Sequence, residues 1–430
     1  MTPAAPPPRT RSRWTLLLRL LALAMLVAVF LAIDGKPLVG PPVPPDARSI
    51  ALARGIAKQV AGQNAVAGAR ETIVLGQREL DGFSAMASQV IAPSRAEARL
   101  IAPPGRSAAP PELVLRLSRS LPLGAWLNIE ARAHSTGAGR GLPTVRASIG
   151  HLPVPAWLMR WLIGQAWSIA QPDMPDPPTL EETLLQVQIA PKAVRVVLIN
   201  PGRNAALAGL AQLGGTASDP RWVASAYCAL SRHADPDLAV IVRRAWQLER
   251  PAELGPAEQN RGLLLAVAMR TVPEYRDRLA GASLPLVSGC SPPDDPIALA
   301  GRADLAKHWA LSAALGASLG GQAAQSLGVF KELSDSLKGG SGFSFVDLAA
   351  DRSGERFARA ATHAQLARFL QTRLAAVTDD QLLPGEALDR PEGLDAGLFE
   401  RTYSSIDSPE YAAAVAAIDQ LLDNIGVPKP

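Results

Sequence analysis

The side chains best suited to chemistry lie between Asp304 and Asp351. In ADLAKHWALSAALGASLGGQAAQSLGVFKELSDS, from Ala303 to Ser336, the residues Asp304, His308 and Ser312 fall at i, i+4 and i+8. A helix puts all three on one face. Lys331 and Asp335 share a second face, with Glu332 and Ser336 beside them. The following stretch, GSGFSFVDLAADRSG from Gly340 to Gly354, adds Asp347 and Asp351 one helical turn apart. Ser344 or Ser341 is placed to cap that helix.

Ionisable groups on otherwise apolar helices must meet one another, because a lone buried charge is too costly. Three outcomes satisfy that rule. One is a closed network that fixes helix packing, with His308 paired to Asp304 or Asp347 and Lys331 paired to Asp335 or Asp351. A second is a reactive site, in which a carboxyl of raised pKa serves as general acid or base beside His308. A third is a divalent-metal site of His308 with Glu332, Asp335 or Asp347, although the spacing matches no recognised ligand motif. The candidate cluster is therefore His308, Glu332, Asp335, Asp347 and Asp351, with Asp304, Lys331 and Ser344 around it. No other cofactor is expected.

The spacing D-x-x-x-H, then K-E-x-x-D, then S-G-F-S-x-x-D-L-x-A-D-x-x-G resembles the YfiM-like bacterial envelope proteins. It is more distantly similar to the VanZ-like membrane family. The matching positions are Asp304, His308, Lys331, Glu332, Asp335, Ser341, Gly342, Ser344, Asp347, Asp351 and Gly354. VanZ-like members carry Asn where this chain has Asp351. The resemblance implies an envelope protein and brings no reaction with it.

Other chemistries find less support. His134, His151, His233 and His363 stand apart from any carboxylate or cysteine pattern and are expected on the surface or as satisfied core residues. Nucleotide-loop and G-x-S-x-G serine-nucleophile motifs are expected to be lacking; GSGFS reads as a helix start, and GAGRG at 137–141 as a turn between strands.

The elements that position the cluster follow from hydropathy. Residues 1–14 are Pro-rich and carry Arg9, Arg11 and Arg13 without an acid, as a cytoplasmic tail would. Residues 15–33, TLLLRLLALAMLVAVFLAI, are apolar except for Arg19, which can snorkel. Their length suffices for a single transmembrane anchor, and the flanking arginines place the N-terminus inside and the bulk in the periplasm. A cleaved signal peptide is the rival reading, but no A-x-A site follows the run. The expected partner is thus the inner membrane through residues 15–33, with an envelope protein or lipid as a further one. Subtracting Arg9, Arg11, Arg13 and Arg19 from 43 basic residues leaves 39 against 39 acidic ones, so the body is neutral. Such a balance gives a nucleic-acid partner no support.

A Pro-rich linker, 34–46, is expected to hold the body off the membrane as a stiff spacer. Residues 47–203 read as an α+β domain: helical periodicity over 47–92, then an antiparallel sheet with flanking helices. GAWLNIEARA alternates, LLQVQI and VRVVLI form a hairpin across APKA, and PVPAWLMRWLIGQAW places Trp157, Trp161 and Trp167 on a helix begun by Pro155. Those tryptophans are expected to pack inward on the sheet, the lipid-binding alternative being the weaker one. Residues 204–283 and 284–430 read as a helical region and an all-α C-terminal domain that holds the cluster. Ser408, Pro409, Glu410 and Gly426 signal its last helix. Cys228 and Cys290, the only cysteines, are expected to form a disulfide in an oxidising compartment.

Overall fold

A computed structural model describes residues 13–41, 52, 55, 68–90, 94–103, 109–135, 142–169, 179–199, 218–319, 335 and 341–429. The chain is mixed α and β, with antiparallel sheets first and helices after.

Helix α1 covers Arg13–Ala32. Its described side chains begin at Arg19, and among the described residues no helix is long and apolar enough to cross a membrane. Strand β1 (Ile33–Asp34) follows at once and pairs with the start of β5. The expected stand-off spacer is not seen over 34–39. Instead Asn128 donates to Asp34 at 2.7 Å and to the Lys36 carbonyl at 3.0 Å, while Leu38 and Val39 amides donate to Ser118 Oγ at 2.9 and 3.0 Å. Two short polar side chains on the sheet satisfy the backbone of residues 34–39, so this part of the expected linker lies along the sheet.

Strand β2 (Arg70–Gly76) and helix α2 (Gln77–Val90) occupy a span expected to be helical throughout. RETIVLG supplies three consecutive strand-favouring residues, Thr72, Ile73 and Val74, and its pairing with β9 overrides the helical periodicity around it. Strands β3 (Ser94–Ile101), β4 (Glu112–Ser120), β5 (Trp126–His134), β6 (Thr144–Ile149) and β7 (Leu152–Val154) form one antiparallel sheet in that order. On its polar face the register puts Arg116 opposite both Glu97 and Glu130, and the ion pairs measure 3.2 and 2.8 Å. Asn128 belongs to that face yet is buried, because the 34–39 segment covers it.

Helix α3 (Ala156–Ile169) carries the tryptophans. Two of them do not pack inward as expected, Trp157 being 70% and Trp161 56% exposed, whereas Trp167 is half-buried. The hairpin β8 (Leu184–Ile189) and β9 (Ala193–Ile199) forms as expected and joins β2 in a second sheet. Ala133 of the first sheet meets Val187, Ile189 and Val194 of the second in a small core.

The larger core is helical. Helices α4 (Pro220–Leu230), α5 (Leu238–Gln247) and α6 (Pro256–Thr271) are capped by Asp219, Asp237 and the Gly255–Pro256 start. Cys228 and Cys290 are joined as a disulfide, with Cα atoms 5.3 Å apart, tying α4 to the loop before the next helix. Helices α7 (Ala303–Leu319), α8 (Phe345–Thr362), α9 (Ala367–Leu374), α10 (Ala396–Tyr403) and α11 (Pro409–Asp423) complete the unit. The stretch VTDDQLLP, residues 377–384, contains a short helix, Asp379–Leu382, because Thr378 and Gln381 form a capping box.

Small residues let α7 and α8 approach closely. A Cβ added at Gly316 would lie 3.1 Å from the Ala358 methyl, and one at Gly354 would run into the Trp309 carbonyl. Trp309 and Phe357 fill the adjoining space with centroids 5.6 Å apart. A close, rigid helix pair is what the cluster needs to keep its geometry.

Candidate functional site

Two helices and one loop build the cluster. Ser344 caps α8, accepting from the Asp347 amide at 3.0 Å, as the sequence predicts. That cap sets the helical phase that turns both Asp347 and Asp351 toward α7. His308 lies between them: its Nδ1 is 3.1 Å from Asp351 Oδ1 and its Nε2 is 3.3 Å from Asp347 Oδ2. Ser312, one turn along α7, donates to the same Asp351 oxygen at 2.6 Å. His308, Asp347 and Asp351 are 9%, 8% and 5% exposed, so water does little to solvate them.

This arrangement constrains the proton inventory. Ionised carboxylates only accept, and the ring can donate to both only as imidazolium; a neutral ring serves both only if one carboxyl carries a proton. Asp351 Oδ2 is buried and has no hydrogen-bond donor among the described residues. Neither ring nitrogen is left open for an incoming proton.

Arg302 extends the network outward. Its guanidinium is 2.7 Å from Asp304, 2.9 Å from Glu392 and 3.7 Å from Asp347. The hydrogen bond from Arg302 holds Asp304 below the usual carboxylate range. Of the two acids expected beside His308, Asp347 is there, while Asp304 pairs with Arg302 instead, because Asp304 sits at the exposed start of α7, within two residues of Arg302. Arg302 is the participant that sequence reasoning misses. It precedes the helix, after Ala300 and Gly301 with φ of 49° and 76°, so loop conformation and not helical spacing delivers it. Ser312 was legible on the His308 face; the acid it would bind was not.

Lys331 and Glu332 lie outside the described residues. Asp335 is described only as a helical residue whose carbonyl accepts from the Gly342 amide at 2.7 Å. Among the described residues no three His, Cys, Asp or Glu side chains are placed to hold a metal ion.

A G-x-S-x-G spacing does occur, counter to the expectation that such motifs are lacking, at Gly316, Ser318 and Gly320. Ser318 lies in the last turn of α7, whereas a nucleophile elbow is a sharp turn between strand and helix. It has no elbow geometry.

A second acidic pair sits at the start of α5. Asp237 caps that helix, accepting from Val240 at 2.9 Å, and Asp379 accepts from the Ala300 amide at 3.2 Å. Burial first, and then the Asp237 carboxylate, push the Asp379 carboxyl above its ordinary range. A folded-state pKa above the unfolded value means that the stabilising contribution is full below the unfolded pKa and lost as pH rises through the folded one. Asp379→Asn is therefore expected to flatten the decline in melting temperature above about pH 4. Parallel thermal melts across pH check this; an unchanged slope contradicts it.

Comparisons with protein-family models, with curated proteins and with solved structures find no match to this chain.

Proposed function

We propose that this chain is an inner-membrane envelope protein, anchored through residues 15–33 with its bulk in the periplasm, whose helical domain acts in binding or assembly and not in catalysis. One observation carries the non-catalytic part: both nitrogens of the buried His308 ring are already engaged by carboxylates. A general base needs an open nitrogen within reach of a substrate proton. The location rests on the arginine-flanked apolar run and on the disulfide, which is typical of oxidising compartments. The resemblance of residues 304–354 to the YfiM-like family accords with it.

The alternative reading is a hydrolase or transferase on envelope glycan or lipid. It draws on Asp351 Oδ2, a buried carboxylate oxygen with no donor among the described residues. Combining Asp347→Asn with His308→Gln separates the two. Under the proposal the variant loses fold and phenotype together; a folded protein that fails in a phenotype assay would favour the enzyme.

Location has its own test. The protein is expected in the membrane pellet after carbonate extraction, degraded by protease added to spheroplasts, and inert to thiol-reactive mass tags until reduced. Recovery in the soluble cytosolic fraction with two reactive thiols would overturn the location.

A further inference from the structure

We propose that one end of the first sheet is a membrane-seating surface, built from helix α3 and the loop at Leu123, which rests on the periplasmic leaflet of an anionic bilayer beside the anchor. The proposal rests on the anchored reading above and adds a second, peripheral contact to it.

Three observations converge on that end of the sheet. First, α1 does not leave freely. The His151 amide donates to the Leu31 carbonyl at 2.8 Å, and β1 pairs Ile33 and Asp34 with Leu127 and Trp126. At Gly150, with φ of +54°, a Cβ would meet the Leu31 carbonyl at 2.5 Å and the Ala32 backbone at 2.8 Å. The β6–β7 turn is thus packed onto the end of α1, and residues 36–39 are fastened along the sheet by Ser118 and Asn128.

Second, Leu123 is fully exposed and adopts a left-handed backbone, φ 66°. It lines a shallow groove with Leu26, Val29, Phe30 and Ile33. Leu26 is seven residues before Ile33, about 10 Å along a helix axis. With α1 crossing a bilayer, Leu123 lies at the level of lipid and not of water.

Third, α3 follows β7, the three-residue strand that leaves the same turn. Trp157 is six residues beyond His151, at most about 20 Å of chain. Trp157 and Trp161 are one helical turn apart and expose 70% and 56% of their surface, and Leu162 exposes 41%. Arg160 is exposed beside them, and residues 156–169 contain no acid. Tryptophan with a cation on a short exposed helix suits an interface of anionic headgroups over acyl chains. A water-facing role leaves this apolar surface without a purpose.

The test exploits the absence of free thiols, both native cysteines being bonded. Single cysteines at Met25→Cys, Leu123→Cys, Trp161→Cys and Phe369→Cys are introduced into the full chain and labelled with an environment-sensitive fluorophore. Each protein is reconstituted into phosphatidylethanolamine–phosphatidylglycerol vesicles carrying quencher lipids. Labels at 123 and 161 are expected to lose about half their emission to a quencher at the depth of roughly 5–10 Å where interfacial helices lie. The label at 369, on the exposed part of α9, is expected to be unaffected.

Quenching at 25 without quenching at 123 and 161 would overturn the seating surface and leave the anchor standing. Quenching at 123 and 161 without 25 would keep the surface and remove the anchor. Quenching at none of the three would remove both. Labels at 123 and 161 that respond to protein dilution in the bilayer, and not to quencher lipid, would mean that a second copy covers the face, against the proposal.

Discussion

Asp351→Ala is expected to destabilise the helical domain by about 3–5 kcal/mol, the usual cost of removing one partner from a buried ion pair. The carboxylate holds His308 Nδ1 at 3.1 Å and the Ser312 hydroxyl at 2.6 Å, and neither group has water to fall back on. Deleting it strands both donors between two close helices. Asp351→Asn keeps the shape and one acceptor, so its cost should be smaller, about 1–3 kcal/mol. A shift of the urea midpoint at constant slope, followed by far-ultraviolet circular dichroism, checks both values. A loss below about 1 kcal/mol for the alanine variant would mean that the cluster is solvated.

Gly354→Ala is expected to be at least as damaging, about 3 kcal/mol or more, although it adds a single methyl group. The added Cβ would collide with the Trp309 carbonyl, lie 3.0 Å from the carbonyl carbon, and crowd the Ala313 amide at 3.1 Å. All three are backbone atoms of α7, so no rotamer change relieves the overlap. The helices must separate, which stretches the His308–Asp351 bond and loosens Trp309 against Phe357. Helix propensity points the other way, since alanine in place of glycine gains about 1 kcal/mol in an unpacked helix. The sign of the measured change therefore decides whether the close approach of α7 and α8 is real. A stabilised Gly354→Ala protein would disprove it.

Local signals were the legible ones. Ser408 and Pro409 start α11 where capping rules place it, Ser344 caps α8, and the 184–199 hairpin forms. The disulfide followed from two cysteines and the expected compartment. Spacing left the partner of His308 open between Asp304 and Asp347; Asp347 takes the ring, and Asp351 joins it, which spacing did not supply, because the cap at Ser344 sets the phase of both. Arg302 was illegible because a turn, not a helix, aims it. Strand β2 was missed because its pairing partner β9 lies more than a hundred residues on, beyond any local window. Trp157 and Trp161 have the composition of core residues, and only the orientation of α3 on the sheet exposes them.

A double-mutant cycle on His308 and Asp351 tests the account most directly. His308→Ala, Asp351→Ala and the double variant are unfolded in urea beside the wild type. A closed network predicts that the double variant costs less than the sum of the singles, with a coupling energy of about 1–3 kcal/mol, because each single leaves the other member of the pair buried without its partner. Additivity within about 0.3 kcal/mol would show two side chains that do not depend on each other, and would contradict the account.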